Sequence, residues 1–261
     1  MSKAGSAASK PPGRGVKDVD PERLARLNAG EPAATLTECL AVDFAALMQA
    51  VAPDAGDGAV NAMRAQAALG ISRRMALAAR LLEERLGPDG FETLKAHRSD
   101  TVRGWACFMV GAMPAATLRE RLDLIRPLAD DAHFGVREWA WLAVRPQLAA
   151  ELDAAVELLL PWTGDPSERV RRFASESLRP RGVWCAHIAA LKTDPGRALP
   201  LLEPLRADPA AYVQDSVANW LNDASKDRPD WVRGVCERWS KGHPAEATER
   251  ICKRALRSIG V

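Results

Sequence analysis

The chain contains 261 residues, of which 47% are hydrophobic, and its formal net charge is only +2. This length allows one large domain or two small ones with a sizeable core, and the nearly neutral charge does not by itself indicate a nucleic-acid-binding protein. Five widely spaced cysteines without a Cys-x-x-Cys pair argue against a disulfide framework and a zinc site, and no apolar run is long enough to predict a membrane-spanning helix.

The N-terminal segment MSKAGSAASKPPGRGVKD is rich in Ser, Gly, Pro and Lys and lacks the hydrophobic stretch of a signal peptide. We therefore expect residues 1–19 to form a disordered basic arm. The scattered cysteines are typical of reduced thiols, so the sequence predicts a cytoplasmic protein.

From residue 20 onward, apolar residues recur at helical spacing in segments such as LTECLAVDFAALMQAV and ISRRMALAARLLEERLG. Pro and Gly separate these segments at short intervals, and no stretch alternates with the period of two that is typical of a strand. The pattern predicts an all-α chain. We expect a single domain over residues 20–261, with irregular helices to about residue 97 and regular repeats over residues 98–261.

A repeated pattern runs through the second part of the chain. In SDTVRGWACFMV, AHFGVREWAWLAV, SERVRRFASESL and AAYVQDSVANWL, a small or apolar residue follows the valine after four positions and again after eight. The valines are Val102, Val136, Val170 and Val213, and AEATERICKRAL is a weaker fifth copy. Copies begin 34 residues apart, except for a step of 43 residues after Val170. Paired helices with this period predict a HEAT-like repeat α-solenoid, which is a curved right-handed superhelix of helix pairs.

Sequence motifs of common enzyme classes are absent. The chain contains no Walker loop, no dinucleotide fingerprint, no His-Glu-x-x-His zinc motif and no Gly-x-Ser-x-Gly nucleophile elbow. It also lacks the combination of His-x-Glu and Pro-Cys-x-x-Cys that is typical of zinc deaminases. A solenoid without these motifs is by default a binding scaffold.

Acidic residues recur on one face of the second helix in the repeats. Glu138 and Asp215 stand two positions after the valine, and Glu176 stands six positions after it, which is about one helical turn further. Stacking of the repeats would bring these acids to one shared, concave surface. Salt bridges with neighbouring arginines are the alternative interpretation of each acid taken singly.

Trp184 lies in the stretch LRPRGVWCAHIAALKTDPG, which accounts for the one longer step between repeats. Insertions in a solenoid usually fall on one face and often serve binding, so this Trp is a candidate contact residue. Basic residues of the same repeats could bind DNA phosphates despite the small net charge. They are Arg172, Arg179, Arg181, Arg145 and Lys226.

Three segments in order along the chain resemble the AlkC branch of the AlkC/AlkD superfamily of bacterial alkylpurine DNA glycosylases. They are FGVREWAWLAVRP, SERVRRFASESLRPRGVW and PLLEPLRADPAAYVQDSVANWLNDASKDRPDWV. The resemblance extends from residue 98 to the C-terminus and, more loosely, over residues 20–97. Its most specific part is the SVAN-x-LND-x-SKD-x-P run.

The resemblance implies an enzyme that hydrolyses the N-glycosidic bond of cationic alkylated bases such as 3-methyladenine, 3-methylcytosine or 7-methylguanine. It implies duplex DNA as the partner, no metal and no cofactor, and engagement of the lesion on the concave face without conventional base flipping. A solenoid of this length that grips duplex DNA would work as a monomer. A catalytically inert HEAT scaffold that binds DNA or a protein is the competing interpretation.

Catalytic roles fall to Glu176, Asp223 and Glu138, which lie in the segments that carry the resemblance. An N3- or N7-alkylated base is already a cation and leaves without a general acid. The carboxylates would stabilise the positive charge that develops on the deoxyribose and would orient the attacking water. Asp223 falls near the C-terminal end of its predicted helix, where the helix dipole disfavours an acid, and this misfit also favours a functional role.

The remaining candidate residues concern binding. The face of Trp184 would stack on the cationic lesion or on the exposed DNA backbone. Arg172 and Arg179 would bind the flanking phosphates. Further candidates for contact with the lesion or the DNA are Asp215, Arg181 and Lys226, and Asp215 also competes with the three catalytic candidates for contact with the sugar.

Overall fold

The computed structural model describes residues 15–259, and no β-strand occurs in this range. The predicted all-α, HEAT-like fold is confirmed. The α-helices are α1 (Pro21–Asn28), α2 (Leu36–Ala41), α3 (Phe44–Val51), α4 (Gly56–Ala65), α5 (Ile71–Lys95), α6 (Asp100–Ala112), α7 (Leu118–Ala129), α8 (Phe134–Ala150), α9 (Leu152–Leu159), α10 (Glu168–Glu176), α11 (Ala189–Thr193), α12 (Leu199–Leu202), α13 (Ala211–Ser225), α14 (Pro229–Trp239) and α15 (Glu246–Ala255). Short 3-10 helices occupy Val16–Asp18, Pro53–Ala55, Leu160–Gly164, Pro195–Ala198 and Leu256–Ser258.

The N-terminal helices differ widely in length, from six residues in α2 to 25 in α5. Helix α5 is interrupted at Gly87, whose φ of 62° and ψ of −162° a residue with a side chain rarely adopts. Of the predicted N-terminal arm, residues 1–14 lie outside the described residues, and Val16–Asp18 form a 3-10 helix. No helix within residues 15–259 is long and apolar enough to cross a membrane.

The predicted repeat columns form the core of the stack. Helices α6, α8, α10, α13 and α15 pack against one another in chain order, and each of the first four carries one of the repeat valines. All columns of these four repeats are buried because each helix presents the same stripe to its neighbours. Their members are Val102, Val136, Val170, Val213, Ala106, Ala140, Ala174, Val217, Val110, Val144, Leu178 and Leu221.

Helices α6 and α8 approach each other closely where α6 carries glycine. A Cβ atom on Gly111 would collide with the carbonyl oxygen of Ala143 in α8. A Cβ atom on Gly104 would lie 2.7 Å from the Trp139 ring. The glycines therefore bring Trp139 deep into the stack, where it is 1% exposed.

Arginines at the start of repeat helices bind an aspartate in the turn that leads into the next repeat helix. Arg103 pairs with Asp131, and Arg171 pairs in the same way with Asp208. The equivalent Arg137 instead donates from Nε to the hydroxyl of Tyr212, at 3.1 Å. This departure from the repeat lies next to the acids that the sequence singles out.

Candidate functional site

Arg179 joins two of the predicted acids from adjacent repeat helices. Glu176 is the last residue of α10, and Asp223 lies in the last turn of α13. The guanidinium donates from Nη1 to Glu176 Oε1 and from Nη2 to Asp223 Oδ2, each at 2.7 Å. Lys226 Nζ lies 3.2 Å from Asp223 Oδ1. The structure thus brings these four predicted site residues together.

Glu176 is buried, with 4% of its side chain exposed, yet it is surrounded by groups that favour the carboxylate. Ser216 Oγ donates to Oε2 at 2.7 Å, and Arg172 Nη2 lies 3.6 Å from the same oxygen. Burial acts to raise the pKa of Glu176, but the charges of Arg172 and Arg179 and the Ser216 hydrogen bond outweigh it and hold that pKa below 4.5. Glu176 is therefore ionised at neutral pH.

Glu138 joins the same group through Arg172. Arg172 Nη2 donates to Glu138 Oε1 at 2.8 Å, and Trp141 Nε1 donates to Oε2 at 2.8 Å. Burial acts to lower the pKa of Arg172, but the charges of Glu176 and Glu138 raise it above its usual value. With 31% of its side chain exposed, Glu138 is the most accessible of the three acids.

We call this group the carboxylate cluster. It consists of acids from three repeats and the bases that bind them: Glu138, Glu176, Asp223, Arg172, Arg179 and Lys226. Formal charges within the cluster balance when all six groups are ionised. Convergence of the acids was predicted for Glu138 and Glu176, and the arginine salt bridges of the alternative interpretation are present as well.

Tyr212 supports the cluster and was missed by the sequence analysis. Its ring lies under Arg172, whose guanidinium carbon is 4.4 Å from the ring centroid, and Arg137 lies at 5.2 Å from the same centroid. Such contacts orient a cation over an aromatic face. The available signal was that Tyr212 is the single tyrosine of the chain and opens a repeat helix.

Trp184 is exposed in the insertion between α10 and α11. Its φ of 62° is in the left-handed region, and 46% of the residue is accessible to solvent. Ser72 Oγ donates to its carbonyl oxygen at 3.1 Å. Its ring stacks on Trp139, the neighbour of Glu138 in the sequence, with 6.4 Å between the ring centroids. The insertion therefore presents a partly exposed Trp that contacts the repeat helix α8 through Trp139.

Arg145 holds the insertion in place. It is 2% exposed and donates to the carbonyl oxygens of Ser177, Arg179 and Ala186 at 2.8, 2.6 and 3.3 Å. Because its side chain is buried and engaged by the backbone, Arg145 cannot bind a phosphate in this conformation. The prediction that it contributes to a phosphate-binding surface was wrong.

Two other predicted contact residues pair outside the carboxylate cluster. Asp215 Oδ1 lies 2.6 Å from Arg250 Nη2 and 3.4 Å from Arg254 Nε, both on α15. Arg181 donates to Asp227 from Nε to Oδ2 at 3.1 Å and from Nη2 to both carboxylate oxygens at 2.9 Å. Among the residues that the structure describes, Asp215 therefore shares no ion-pair partner with Glu138 or Glu176.

Comparisons with known proteins agree with this architecture. The model of a family described as DNA alkylation repair enzyme matches residues 93–259. The structure is similar to that of the Pseudomonas fluorescens alkylpurine DNA glycosylase AlkC, which was solved bound to DNA containing an abasic site analog. The two share 28% sequence identity with a TM-score of 0.68, and the match covers 94% of the present chain and 64% of the AlkC chain.

Two further relatives are either less similar or match a smaller part of the chain. AlkD2 from Streptococcus mutans matches with a TM-score of 0.60 and 21% identity, over 78% of the present chain and 98% of its own, which supports the fold alone. The uncharacterised protein YhaZ of Bacillus subtilis (strain 168) is 47% identical over 81 residues. These residues are 31% of the present chain and 22% of YhaZ, so the chain spans less than two thirds of AlkC and a smaller part of YhaZ.

Proposed function

Because the chain belongs to the DNA alkylation repair enzyme family, we propose that it is a DNA glycosylase acting on cationic alkylated bases in duplex DNA. It hydrolyses the N-glycosidic bond, with 3-methyladenine as the main substrate and 3-methylcytosine and 7-methylguanine as further candidates. Products are the free base and an abasic site. The enzyme acts as a cytoplasmic monomer without a cofactor or an obligate protein partner.

The observation that carries this proposal is the convergence of acids from three repeats. Glu138, Glu176 and Asp223 meet through the guanidinium groups of Arg172 and Arg179. A repeat protein that only stacks its helices does not need charged groups buried at the junction of three repeats, because such burial costs several kcal/mol per ion before pairing. The arrangement is better explained by a functional need for several carboxylates at one junction of the repeats.

The chemistry of the substrate matches this arrangement. A base alkylated at N3 or N7 carries a positive charge and needs no proton to leave. As the glycosidic bond breaks, positive charge builds up on the deoxyribose, and nearby carboxylates stabilise it. One of these carboxylates also orients the water that attacks the sugar carbon. A normal base, which would still require protonation, is left intact.

In this proposal, Arg172 and Arg179 bind either the carboxylates of the cluster or the phosphates of DNA. In the free protein they hold Glu138, Glu176 and Asp223. DNA phosphates compete for the same guanidinium forks, which bind phosphate with two parallel hydrogen bonds. When the arginines turn to the phosphates that flank the lesion, the carboxylates become available to the sugar.

Trp184 supplies the contact with the lesion itself. Its exposed face attracts a cationic base by about 0.5 to 2 kcal/mol, depending on how far the contact is desolvated. The stacked Trp139 supports the ring from behind. An open surface of this kind suits engagement of the lesion without conventional base flipping into a closed pocket.

A non-catalytic HEAT-repeat scaffold that binds DNA or a protein is the second candidate function. The observation that favours it is that each acid of the carboxylate cluster already has an arginine partner, so none is left free. In that case, the cluster would only fix the repeats relative to one another.

Release of free 3-methyladenine from methylated duplex DNA distinguishes the two functions. We expect single-turnover release by the wild type and a loss of about 100-fold or more in Glu176→Gln and Asp223→Asn, since one preorganised charge contributes this much. Asp153→Asn is the matched control, because Asp153 is exposed and pairs only with Arg197 among the described residues. Binding to duplex DNA with an abasic site analog is measured in parallel by fluorescence anisotropy.

Each outcome has a definite meaning. If the wild type binds this DNA but releases no alkylated base, the protein is a scaffold. If the wild type is active and both variants match it, the function stands and the assignment of Glu176 and Asp223 is wrong. A variant that loses binding and activity together, with an unchanged circular dichroism spectrum, contributes to the DNA contact rather than to the chemical step.

A further inference from the structure

A pair of thiols lies on helices α14 and α15, outside the carboxylate cluster. Cys236 is on α14 and Cys252 is on α15, and Cys252 Sγ is 3.9 Å from the carbonyl oxygen of Cys236. Both cysteines also line the same cavity. Neighbouring helices thus hold the two cysteines in contact at the wall of one cavity, an arrangement from which a disulfide can form.

The two thiols differ in reactivity. The hydrogen bond from Cys236 and a second one from Ser240 outweigh burial and lower the pKa of Cys252 below 9.0. The same hydrogen bond, together with burial, raises the pKa of Cys236. Burial raises the pKa of each remaining cysteine, namely Cys39, Cys107 and Cys185. Because the thiolate is the nucleophile, Cys252 is the most readily activated thiol of the five.

A cavity gives small molecules access to this pair. It has a volume of about 360 Å³ and is lined by both cysteines and by Arg233, Glu237, Ser240, Lys253 and Leu256. Glu237, Ser240 and Lys253 are exposed, so the cavity is reached from solvent. Arg233 and Lys253 outnumber the single lining acid, Glu237, and this net positive charge favours a ligand that carries carboxylates.

We propose that Cys236 and Cys252 form a redox-active dithiol site for a carboxylate-bearing, low-molecular-weight disulfide. The thiolate of Cys252 attacks one sulfur of the small disulfide, forms a mixed disulfide and releases one small thiol. Cys236, after loss of its proton, attacks the Cys252 sulfur and releases the second small thiol. The protein dithiol is oxidised by two electrons and the small disulfide is reduced to two thiols, so atoms and electrons balance.

Formation of this bond would join α14 to α15. Helix α15 is bound to α13 through Asn222, whose Nδ2 donates to the carbonyl oxygen of Ala255 and to Ser258 Oγ, each at 3.0 Å. The proposed disulfide is independent of the proposed function, since neither thiol belongs to the carboxylate cluster.

Reaction of the full-length protein with glutathione disulfide tests the site. Peptide mapping by mass spectrometry should find one intramolecular disulfide, between Cys236 and Cys252. Cys185 is the internal control, because it is the one cysteine that is not buried and would react first if exposure alone decided. Modification of Cys185 before Cys252 in the wild type overturns the proposal without the use of any variant.

Two variants separate the steps. Cys236→Ser should accumulate a stable glutathione adduct on Cys252, whereas Cys252→Ser should leave Cys236 at least tenfold less reactive than Cys252 in the wild type. Equal reactivity of the two variants, with unchanged thermal unfolding, contradicts the assigned order.

Lys253→Glu should slow the reaction with glutathione disulfide several-fold and leave the rate with uncharged hydroxyethyl disulfide unchanged. An equal effect on both probes would show that the cavity does not select for carboxylates.

Discussion

Arg179 binds Asp223 with two hydrogen bonds that end on the same carboxylate oxygen, from Nε at 3.0 Å and from Nη2 at 2.7 Å. Only 17% of the Arg179 side chain and 7% of the Asp223 side chain are exposed, so little water screens the pair. Since Nη1 of the same guanidinium binds Glu176, one arginine fixes the carboxylates of two adjacent repeats. The stability of the fold and the proposed function therefore depend on the same contacts.

Removal of Arg179 should destabilise the fold. In Arg179→Ala, Glu176 and Asp223 remain buried without their shared counterion, and the free energy of unfolding should fall by about 3 to 5 kcal/mol. Arg179→Lys should lose less, because it keeps the charge but not the planar fork. Urea denaturation followed by circular dichroism gives both values. Wild-type stability in Arg179→Ala would mean that the cluster contributes nothing to the fold.

The lowered pKa of Glu176 predicts how stability depends on pH. The folded protein binds this proton less tightly than the unfolded chain, whose Glu has a pKa of 4.5. The ionised carboxylate therefore stabilises the fold above pH 4.5, and its contribution is lost as the pH falls through the lowered pKa. We expect the difference in unfolding free energy between the wild type and Glu176→Gln to be constant near neutral pH and to shrink in acid. A difference that grows in acid would contradict the lowered pKa.

Trp184→Ala should weaken action on the cationic lesion while leaving the fold intact. Loss of the cation–π contact of about 0.5 to 2 kcal/mol corresponds to a decrease of roughly 2- to 30-fold in kcat/KM for release of 3-methyladenine. The matched control is Val183→Ala, which truncates the neighbouring exposed residue of the same insertion. Binding to DNA with an abasic site analog, which lacks the base, should change less than lesion release. An equal loss in both assays would mean that Trp184 contacts the DNA backbone instead of the lesion.

Tyr212 should act by keeping Arg172 in place. Tyr212→Phe removes the acceptor of the Arg137 hydrogen bond but keeps the ring face, so it should cost about 1 kcal/mol of stability and little DNA affinity. Tyr212→Leu also removes the face over which Arg172 lies and should weaken DNA binding measurably more. Anisotropy titrations at fixed salt compare the two variants. Identical affinities in Phe and Leu variants would exclude this role for the ring.

The repeat periodicity was sufficient to predict the core. Each valine column is determined by helix geometry and by stacking against a similar neighbour, so Val170 and Val213 could be placed without coordinates. The longer step between these repeats also located the insertion that exposes Trp184. Local spacing is enough for such features because they recur along the chain.

The arginine that binds each acid across the repeats could not be predicted in the same way. Glu138 and Asp215 occupy equivalent positions, yet Glu138 is bound by Arg172, whereas Asp215 is bound by Arg250 and Arg254 of α15. The partner of each acid depends on the arginines that the next helix presents, and these differ between repeats. Long flexible arginine side chains can reach several acids, so a single sequence does not determine which one is chosen.

The single-turnover release of 3-methyladenine from methylated duplex DNA tests the central claim most directly. Wild type should release the free base, and Asp223→Asn should do so about 100-fold more slowly while its Kd for DNA with an abasic site analog stays within twofold of the wild-type value. Absence of release by the wild type, or equal rates for the wild type and Asp223→Asn, would contradict the role proposed for the carboxylate cluster.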